Sequence, residues 1–354
     1  MPLYEKLLAT FNKALSTNAV TWTETSLHSI PVHFPTTSPT GVTVDFQIRL
    51  APQLAKKPIA NPAAAPPIDS LPSVVVAKEG DGRAGEVKVL RSNPFLPYDP
   101  LLKVNTEELY LPKHNLLLNK FSIVKGHVLL TTKDFESQLS PLNRDDFAAV
   151  HSILQSPAMP RYMCFFNCGA NSGASQPHKH LQLLPESPED KDIVFPPIHS
   201  VLSYFQEDRS RGSIGTPTSF PAFPCAHSIT VLPPLPASPV DCGIVLEQIY
   251  TNTLTSAFAN AGIEIDTALT PDSNEGADAA VDRRAQPSYN VVLTKELLLI
   301  VPRRAEKAIG GLLSLNSVAF AGMMLVKSEE GLRRTVEVGP VDVLRAVGFP
   351  MGSK

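Results

Sequence analysis

Two histidines and a glutamine stand two residues apart in one short segment of the chain. They are His178, His180 and Gln182, and a turn rich in Gly, Ser and Asn, residues 169–176, comes directly before them. Successive side chains of a β-strand point to opposite faces of the sheet. A strand over residues 178–184 would therefore place the two imidazoles and the amide on one face, while the leucines between them pack against a core.

The turn before the histidines has the composition of a phosphate-binding loop. Gly169 and Gly173 tolerate backbone conformations that other residues rarely adopt, and consecutive exposed N–H groups form an anion-binding nest. A neutral imidazole can attack an α-phosphorus and form a phosphoramidate that a second acceptor resolves. Gln182 cannot act as a base, but its amide can hold a phosphate oxygen or fix the imidazole. The segment therefore predicts nucleotidyl transfer through a histidine.

The same spacing has less specific interpretations. An isolated pair of histidines two residues apart is more often a pair of metal ligands or of structural residues. Cys164 and Cys168 could join His178 and His180 as ligands, but small buried side chains of a strand explain their spacing equally well. The Gly/Ser turn and the glutamine favour nucleotidyl transfer. We expect no structural zinc, and no disulfides if the compartment is reducing.

Composition excludes several classes of function. The 354 residues are 43% hydrophobic and carry a formal net charge of −3, which argues against a broad basic surface for nucleic acid. The sequence shows no long apolar span and no signal-peptide pattern, so we expect no membrane association. We expect a cytoplasmic location and leave the nucleus open as a second compartment.

The secondary-structure pattern predicts an α+β fold with a mainly antiparallel sheet and packed helices. Hairpins and consecutive neighbouring strands favour this class over a doubly wound sheet. We expect one catalytic domain over residues 1–354, with flexible loops at about 58–70 and 267–288 where proline or small polar residues dominate. The predicted elements are helices over 3–15, from Asn143 onward and over 244–261, a strand over 161–167, and hairpins over 116–132 and 289–302.

Four blocks of sequence resemble one family in the order of that family. They are residues 116–121, residues 167–182, Tyr289-Asn290 with Val301-Pro302-Arg303, and residues 316–327. The resemblance covers nearly the whole chain. It is to the fungal-type diadenosine tetraphosphate phosphorylases, also called ATP adenylyltransferases, of the histidine triad superfamily, and it implies a histidine-triad-like fold.

The resemblance implies a reaction and a set of residues. His180 would attack an α-phosphorus of diadenosine tetraphosphate and release ATP, and phosphate would then take the AMP to give ADP. Mg²⁺ or another divalent cation would accompany the nucleotide. The positions implied to bind substrate are Lys57, Asn119, Lys120, Asn167, Gly173, Ala174, Ser175, Gln176, His178, Gln182, Asn316, Ser317, Val318, Met323 and Lys327.

Departures from the family pattern and other roles stay open at this point. The motif ends in Gln182 and lacks the third histidine of the hydrolase branches, which favours transfer to phosphate over hydrolysis. Lys57 could be a surface charge, Met323 a core residue and Arg303 the surface end of a strand. The alternative functions are a related transferase that uses a nucleotide-sugar and a nucleotide sensor without turnover. The oligomeric state is left open.

Overall fold

The computed structural model describes residues 2–36, 41–56, 93–186, 195–207, 214–265 and 287–352. Lys57 lies outside these ranges, as do the predicted flexible loops at about 58–70 and 267–288, except for Pro287 and Ser288. No helix within the described ranges is both long and apolar enough to span a membrane.

Helices and short strands alternate along the described chain. The helices are α1 (Leu3–Ser16), α2 (Arg144–Leu154), α3 (Leu202–Glu207), α4 (Pro239–Asn260), α5 (Ser317–Phe320), α6 (Glu329–Val338) and α7 (Pro340–Val347). The strands are β1 (Thr21–Trp22), β2 (Ser26–Phe34), β3 (Val42–Leu50), β4 (His114–Leu118), β5 (Phe121–Ser122), β6 (Val128–Thr132), β7 (Tyr162–Cys168), β8 (His180–Pro185), β9 (Ser228–Val231), β10 (Tyr289–Leu293), β11 (Leu297–Pro302), β12 (Lys307–Ala308), β13 (Leu313–Ser314) and β14 (Met323–Val326).

One large sheet organises the fold. Its seven strands run in the order β4-β6-β8-β7-β10-β11-β9, and every neighbouring pair is antiparallel. A second sheet has the order β14-β3-β2, with β14 parallel to β3. The predicted α+β class and both hairpins, β4 with β6 and β10 with β11, are confirmed. The single catalytic domain stays a prediction.

Two element boundaries differ from the sequence-based prediction. The strand with the histidines begins at His180, because His178 forms only an isolated bridge with Ser137. Helix α4 begins at Pro239, where Ser238 caps it by accepting a hydrogen bond from the backbone of Asp241. A cap and a proline at the first position thus start the helix ahead of the apolar pattern from which it was predicted.

The two faces of the large sheet are covered differently. One face packs against α1, α2 and α4 and buries the alternating leucines of β8, Leu181 and Leu183. On the other face, the half formed by β7, β10 and β11 packs against the smaller sheet. The remaining half, formed by β4, β6 and β8, carries only a small apolar cluster of Phe95, Leu117 and Leu129. This half leaves room for polar chemistry.

The buried carboxylate of Asp146 anchors the large sheet on the face that packs against the helices. Asp146, in the first turn of α2, lies 2.6 Å from the ammonium of Lys179 and accepts a hydrogen bond from Nε2 of His114 at 2.9 Å. Asp146 also completes a capping box with Asn143. Burial opposes ionisation of Asp146, but Lys179 and His114 overcome this penalty and hold the pKa of the carboxyl below its ordinary value. The residue between the two histidines is thereby held on the back face.

Asp146→Asn should strongly destabilise the protein. The substitution leaves the fully buried Lys179 ammonium without its nearest carboxylate, and breaking a buried ion pair in this way costs about 3–5 kcal/mol. The free energy of unfolding in urea measures the loss. Asp145→Asn is the matched control, because the pair of Asp145 with Lys113 is exposed and such pairs contribute about 0–1 kcal/mol. Equal losses in the two variants would contradict this role of Asp146.

Candidate active site

A row of polar side chains crosses the large sheet from its open half into the half packed against the smaller sheet. Antiparallel pairing places Asn115 opposite Thr131, and Thr131 opposite His180. Asn167 follows two residues after Phe165, the partner of Gln182, and it is itself paired with Asn290. Directly opposed residues share one face of a sheet. We call Asn115, Thr131, His180, Asn167 and Asn290 the polar row.

The imidazole of His180 is held in one tautomer. Its Nδ1 lies 2.9 Å from the carbonyl oxygen of His178, which can only accept a hydrogen bond, so Nδ1 carries the proton. The tautomer is assigned from this partner. Nε2 then carries the free lone pair. The backbone around His180 is fixed by Gln138, whose amide accepts from the N–H of His180 and donates to the carbonyl oxygens of Asn167 and His180.

Burial keeps this imidazole uncharged. His180 is only 4% exposed, and desolvation lowers its pKa from 6.5 to about 4, although the hydrogen bond to the carbonyl of His178 opposes the shift. Near neutral pH the ring is therefore neutral, and its Nε2 lone pair is available to an electrophile. The arrangement is that of an activated nitrogen nucleophile.

His178 is fixed by partners on both ring nitrogens. Its Nε2 lies 3.0 Å from the carbonyl oxygen of Thr132, and its Nδ1 lies 2.9 Å from the amide nitrogen of Asn93. The amide of Asn93 donates, so the proton of His178 resides on Nε2. Phe95 packs against both imidazoles, with ring centroids 5.7 Å from His178 and 5.2 Å from His180. His178 thus positions its own carbonyl rather than presenting a second free nitrogen.

Gln182 belongs to a short hydrogen-bond chain. The amide of Asn119 donates to Nδ1 of His127 at 2.9 Å, and Nε2 of His127 donates to Oε1 of Gln182 at 3.1 Å. The chain orients the glutamine, because its oxygen must face His127. The amide nitrogen of Gln182 then points away and can donate to an anionic ligand. Within the described ranges, no protein acceptor takes a hydrogen bond from this nitrogen.

The loop before the histidines presents backbone donors. Gly169 and Gly173 both have positive φ angles, of 88° and 80°. At Gly173 a Cβ would lie 2.5 Å from the carbonyl oxygen of Leu315, so only glycine permits this close approach. No acceptor in the described part of the chain takes the N–H groups of residues 173–176. These groups are available to an anion as the prediction requires, and Ala174 and Ser175 are exposed to solvent.

Two of the predicted substrate-binding residues, Asn167 and Ser317, are hydrogen-bonded to each other. Oδ1 of Asn167 accepts hydrogen bonds from the backbone and hydroxyl of Ser317 at 2.9 and 2.7 Å, and from the amide of Asn290 at 2.9 Å. Asn316 caps α5 through its side chain and packs against Gly173. Asn167 and Ser317 therefore join the start of α5 to the glycine loop, and both side chains are buried.

Arg303 is buried, so the surface role considered for it is wrong. Its side chain is 2% exposed and donates to Oδ1 of Asn290 and to the carbonyl oxygens of Ala305 and Leu315. Desolvation lowers its pKa to about 10. Backbone carbonyls take the place of a carboxylate partner here. Arg303 fixes the segment that leads into Asn316 and Ser317.

The remaining predicted residues of the described ranges lie outside the polar row. Lys120 lies within the hairpin predicted over residues 116–132, but it follows the end of β4 and is exposed. Lys327 is exposed one residue after β14, whereas Val318 and Met323 are half-buried and pack against the smaller sheet. Within the described ranges, no hydrogen bond or ion pair joins these four residues to His180.

The metal interpretation does not fit the sheet geometry. Cys164 is paired with Leu183, on the face packed against the helices, and Cys168 lies on that same face. His180 points to the other face. Burial raises the pKa of the Cys168 thiol to about 12, which disfavours the thiolate needed by a metal. No group of three or more potential His, Cys, Asp or Glu ligands occurs within the described ranges.

Several residues at the site carry no recognisable sequence signal. They act through contacts between segments that are distant along the chain, and no periodicity reports such contacts. His127 lies at a turn, Gln138 lies in an irregular segment, and Asn93 follows residues that the structure does not describe. The spacing of Thr131 marked it only as part of a strand. The residues missed by sequence reasoning are Asn93, Phe95, Asn115, His127, Thr131, Gln138 and Asp146.

The depressed pKa of His180 predicts a specific dependence of stability on pH. The unfolded imidazole titrates near 6.5 and the folded one near 4, so the unfolded state binds the extra proton between these values. The contribution of His180 to stability is full above pH 6.5 and is lost as the pH falls through about 4. The free energy of unfolding, measured in urea at several pH values, should change less steeply with pH between about 4 and 6.5 in His180→Ala than in the unmodified protein. Identical slopes would contradict the shift.

The comparisons with known proteins agree with this geometry. Residues 3–204 match the family model of the Ap4A phosphorylase N-terminal domain, and residues 221–350 match the ATP adenylyltransferase C-terminal domain. Diadenosine 5',5'''-P1,P4-tetraphosphate phosphorylase 2 of Saccharomyces cerevisiae is 30% identical over 304 residues, which cover 83% of this chain and 80% of the yeast protein.

Solved structures show the same relationship. The crystal structure of yeast Ap4A phosphorylase Apa2 in complex with AMP covers 100% of both chains with a TM-score of 0.66 at 25% identity. A second crystal structure of yeast Apa2 gives a TM-score of 0.67 at 26% identity, again over 100% of both chains. The two family models together span most of the sequence. The chain therefore belongs to the Ap4A phosphorylase (ATP adenylyltransferase) family of nucleotidyltransferases.

Proposed function

We propose that this protein cleaves diadenosine tetraphosphate by phosphorolysis to ADP and ATP, and that it catalyses the reverse adenylyl transfer. The observation that carries the proposal is the geometry of His180. Its Nδ1–H is bound to the carbonyl of His178, and burial keeps the ring neutral, so Nε2 is the available nucleophile. Family membership and the yeast phosphorylases, named for Ap4A, support the choice of substrate.

The first half-reaction forms a covalent adenylyl-histidine. The Nε2 lone pair of His180 forms a bond to an α-phosphorus, and the bond from that phosphorus to the bridging oxygen breaks. The electron pair leaves with the bridging oxygen, so the departing product is ATP. The free N–H groups of residues 173–176 and the amide nitrogen of Gln182 can donate to the phosphoryl oxygens as negative charge shifts among them.

The second half-reaction transfers AMP to phosphate. A phosphate oxygen attacks the same phosphorus, the bond from nitrogen to phosphorus breaks, and the lone pair returns to Nε2. Gln182 supports phosphate as the acceptor, because an amide cannot remove a proton from water as a base would. An orthophosphate dianion already carries a reactive oxygen and needs no such base. The side chain that ends the motif thus favours phosphorolysis over hydrolysis.

The outer parts of the substrate would contact the predicted residues that lie outside the polar row. Lys120 and Lys327 are exposed and can offset the charge of the polyphosphate, and we assign the same role to Lys57 from the family resemblance. Half-buried Val318 and Met323 offer apolar surface to an adenine. We further propose that Mg²⁺ or another divalent cation binds the polyphosphate oxygens, which are the hard ligands that it prefers.

The cytoplasm remains our proposed compartment. All four cysteines, Cys164, Cys168, Cys225 and Cys242, are free and buried. Free thiols are characteristic of proteins kept in a reducing environment.

Product analysis tests the proposed reaction. Purified protein with diadenosine tetraphosphate and Mg²⁺ should form equal amounts of ADP and ATP when phosphate is present, and isotope-labelled phosphate should enter the β-position of ADP. Without phosphate, ATP release should stop after about one equivalent per protein, because the adenylyl group stays on the histidine. Continuous formation of AMP and ATP without phosphate would indicate hydrolysis. Binding without any products would favour a sensor.

His180→Ala should abolish transfer and preserve binding. Loss of the nucleophile is expected to lower the rate by at least about three orders of magnitude, while the nest and Gln182 still hold the nucleotide. Equilibrium dialysis with diadenosine tetraphosphate measures the binding. His33→Ala is the matched control, because His33 is exposed on β2 and should leave turnover unchanged. Turnover that survives in His180→Ala would refute the proposed mechanism.

A further inference from the structure

The hydroxyl of Thr131 belongs to the residue paired with His180 and has no hydrogen-bond partner among the described residues. Thr131 is the β6 residue paired with His180, so the two side chains project from the same face of adjacent strands. Its side chain is 0% exposed, and Oγ1 makes no hydrogen bond within the described part of the chain. A buried hydroxyl without a partner costs stability, and valine would fill the same space without that cost.

Other buried threonine hydroxyls of this protein do have partners. Oγ1 of the next residue, Thr132, lies 2.9 Å from Nε2 of His178. In α4, Oγ1 of Thr253 lies 2.7 Å from Oγ1 of Thr230 and donates to the carbonyl oxygen of Ile249 at 2.6 Å. The fold thus satisfies these hydroxyls and leaves the one beside His180 unsatisfied. The unsatisfied hydroxyl belongs to the residue paired with His180.

Phe95 packs against the residue that is paired with Thr131. Its ring contacts Leu129, the same-face neighbour of Thr131 along β6, and His180, its neighbour across the sheet. His180 is itself only 4% exposed, and the Phe95 ring lies against its imidazole, with ring centroids 5.2 Å apart. A phosphoryl group bound at His180 therefore lies next to its cross-strand neighbour, Thr131.

We propose that the Thr131 hydroxyl donates a hydrogen bond to a non-bridging oxygen of the α-phosphoryl group while that group is transferred to His180. This role rests on the proposed function. The hydroxyl gives up no proton: the bond from Nε2 to phosphorus forms, the bond to the leaving oxygen breaks, and Thr131 stabilises the charge on the equatorial oxygens. A donor that is already in place, and is not spent on a protein partner, needs no reorganisation during the reaction.

Two substitutions separate the hydroxyl from the methyl group of this residue. Thr131→Val keeps the shape and removes the hydroxyl, and Thr131→Ser keeps the hydroxyl and removes the methyl. The measurement is the single-turnover rate of ATP release from diadenosine tetraphosphate without phosphate. We expect Thr131→Val to slow this step by about a hundredfold, and Thr131→Ser to stay within about threefold of the unmodified protein.

A control variant distinguishes this role from a structural one. Thr253→Val removes a hydroxyl that is partnered inside the protein, far along the chain from the polar row. It should lower the free energy of unfolding in urea and leave the single-turnover rate unchanged. Thr131→Val should lower the single-turnover rate without lowering the free energy of unfolding. Removing an unpartnered buried hydroxyl leaves stability unchanged or raises it.

Each outcome decides the question. A slow Thr131→Val variant with normal stability, together with a fast Thr131→Ser variant, supports the role. A Thr131→Val rate within about twofold of the unmodified protein overturns it, and so do equal losses in both Thr131 variants. If the unmodified protein releases no ATP, the proposed function fails and this role fails with it. If the unmodified protein does release ATP, a negative result in the Thr131 variants overturns the role of Thr131 and leaves the proposed function intact.

Discussion

The hydrogen bond from Nδ1 of His180 to the carbonyl oxygen of His178 is the interaction on which the site depends. It joins two residues of the same segment, so the segment that carries the proposed nucleophile also sets its tautomer. The carbonyl stays in position because both ring nitrogens of His178 are hydrogen-bonded and because Lys179 is anchored behind the sheet by Asp146. The position of His180 on one face of the sheet thus depends on the buried ion pair of Lys179 and Asp146 on the other face.

The surroundings of His180 contain buried polar groups that an apolar core would not need. Oγ1 of Thr131 and Nε of Arg303 have no hydrogen-bond partner among the described residues, and the guanidinium of Arg303 is held by an amide and carbonyls instead of a carboxylate. Such groups reduce stability unless they are fully hydrogen-bonded. Broken local rules of this kind are expected where function constrains the sequence. Thr131 is a member of the polar row, and Arg303 donates to another member, Asn290.

The alternation of residues 178–182 made the centre of the site predictable. A period of two assigns faces without knowledge of the tertiary structure, and the structure places His180 and Gln182 opposite Leu181 as expected. The hairpins and the capped helix α2 were predictable for the same reason, since their signals are local. The register between β6 and β8 has no local signal, so the position of Thr131 beside His180 could not be foreseen.

The features of the site that could not be predicted depend on contacts between segments that are distant along the chain. Arg303 reads as the charged end of a strand, but its neighbours come from the segment around Leu315, and only the folded chain shows that it is buried. Phe95 covers both imidazoles from a segment about eighty residues earlier in the sequence. The family resemblance named Asn167 and Ser317 as substrate-binding residues, whereas the structure shows the hydrogen bonds between them. Sequence types identify candidate residues, and contacts separate those that hold the site from those free to touch a ligand.

The most direct test of this account is the location of the adenylyl group on the protein. The unmodified protein is mixed with diadenosine tetraphosphate in the absence of phosphate, quenched, digested at neutral pH to preserve the nitrogen–phosphorus bond, and mapped by mass spectrometry. The account predicts one AMP group, attached to the imidazole of His180, which is lost when phosphate is added before the quench. AMP on another residue, or ATP release without any protein-bound AMP, would contradict nucleophilic catalysis by His180.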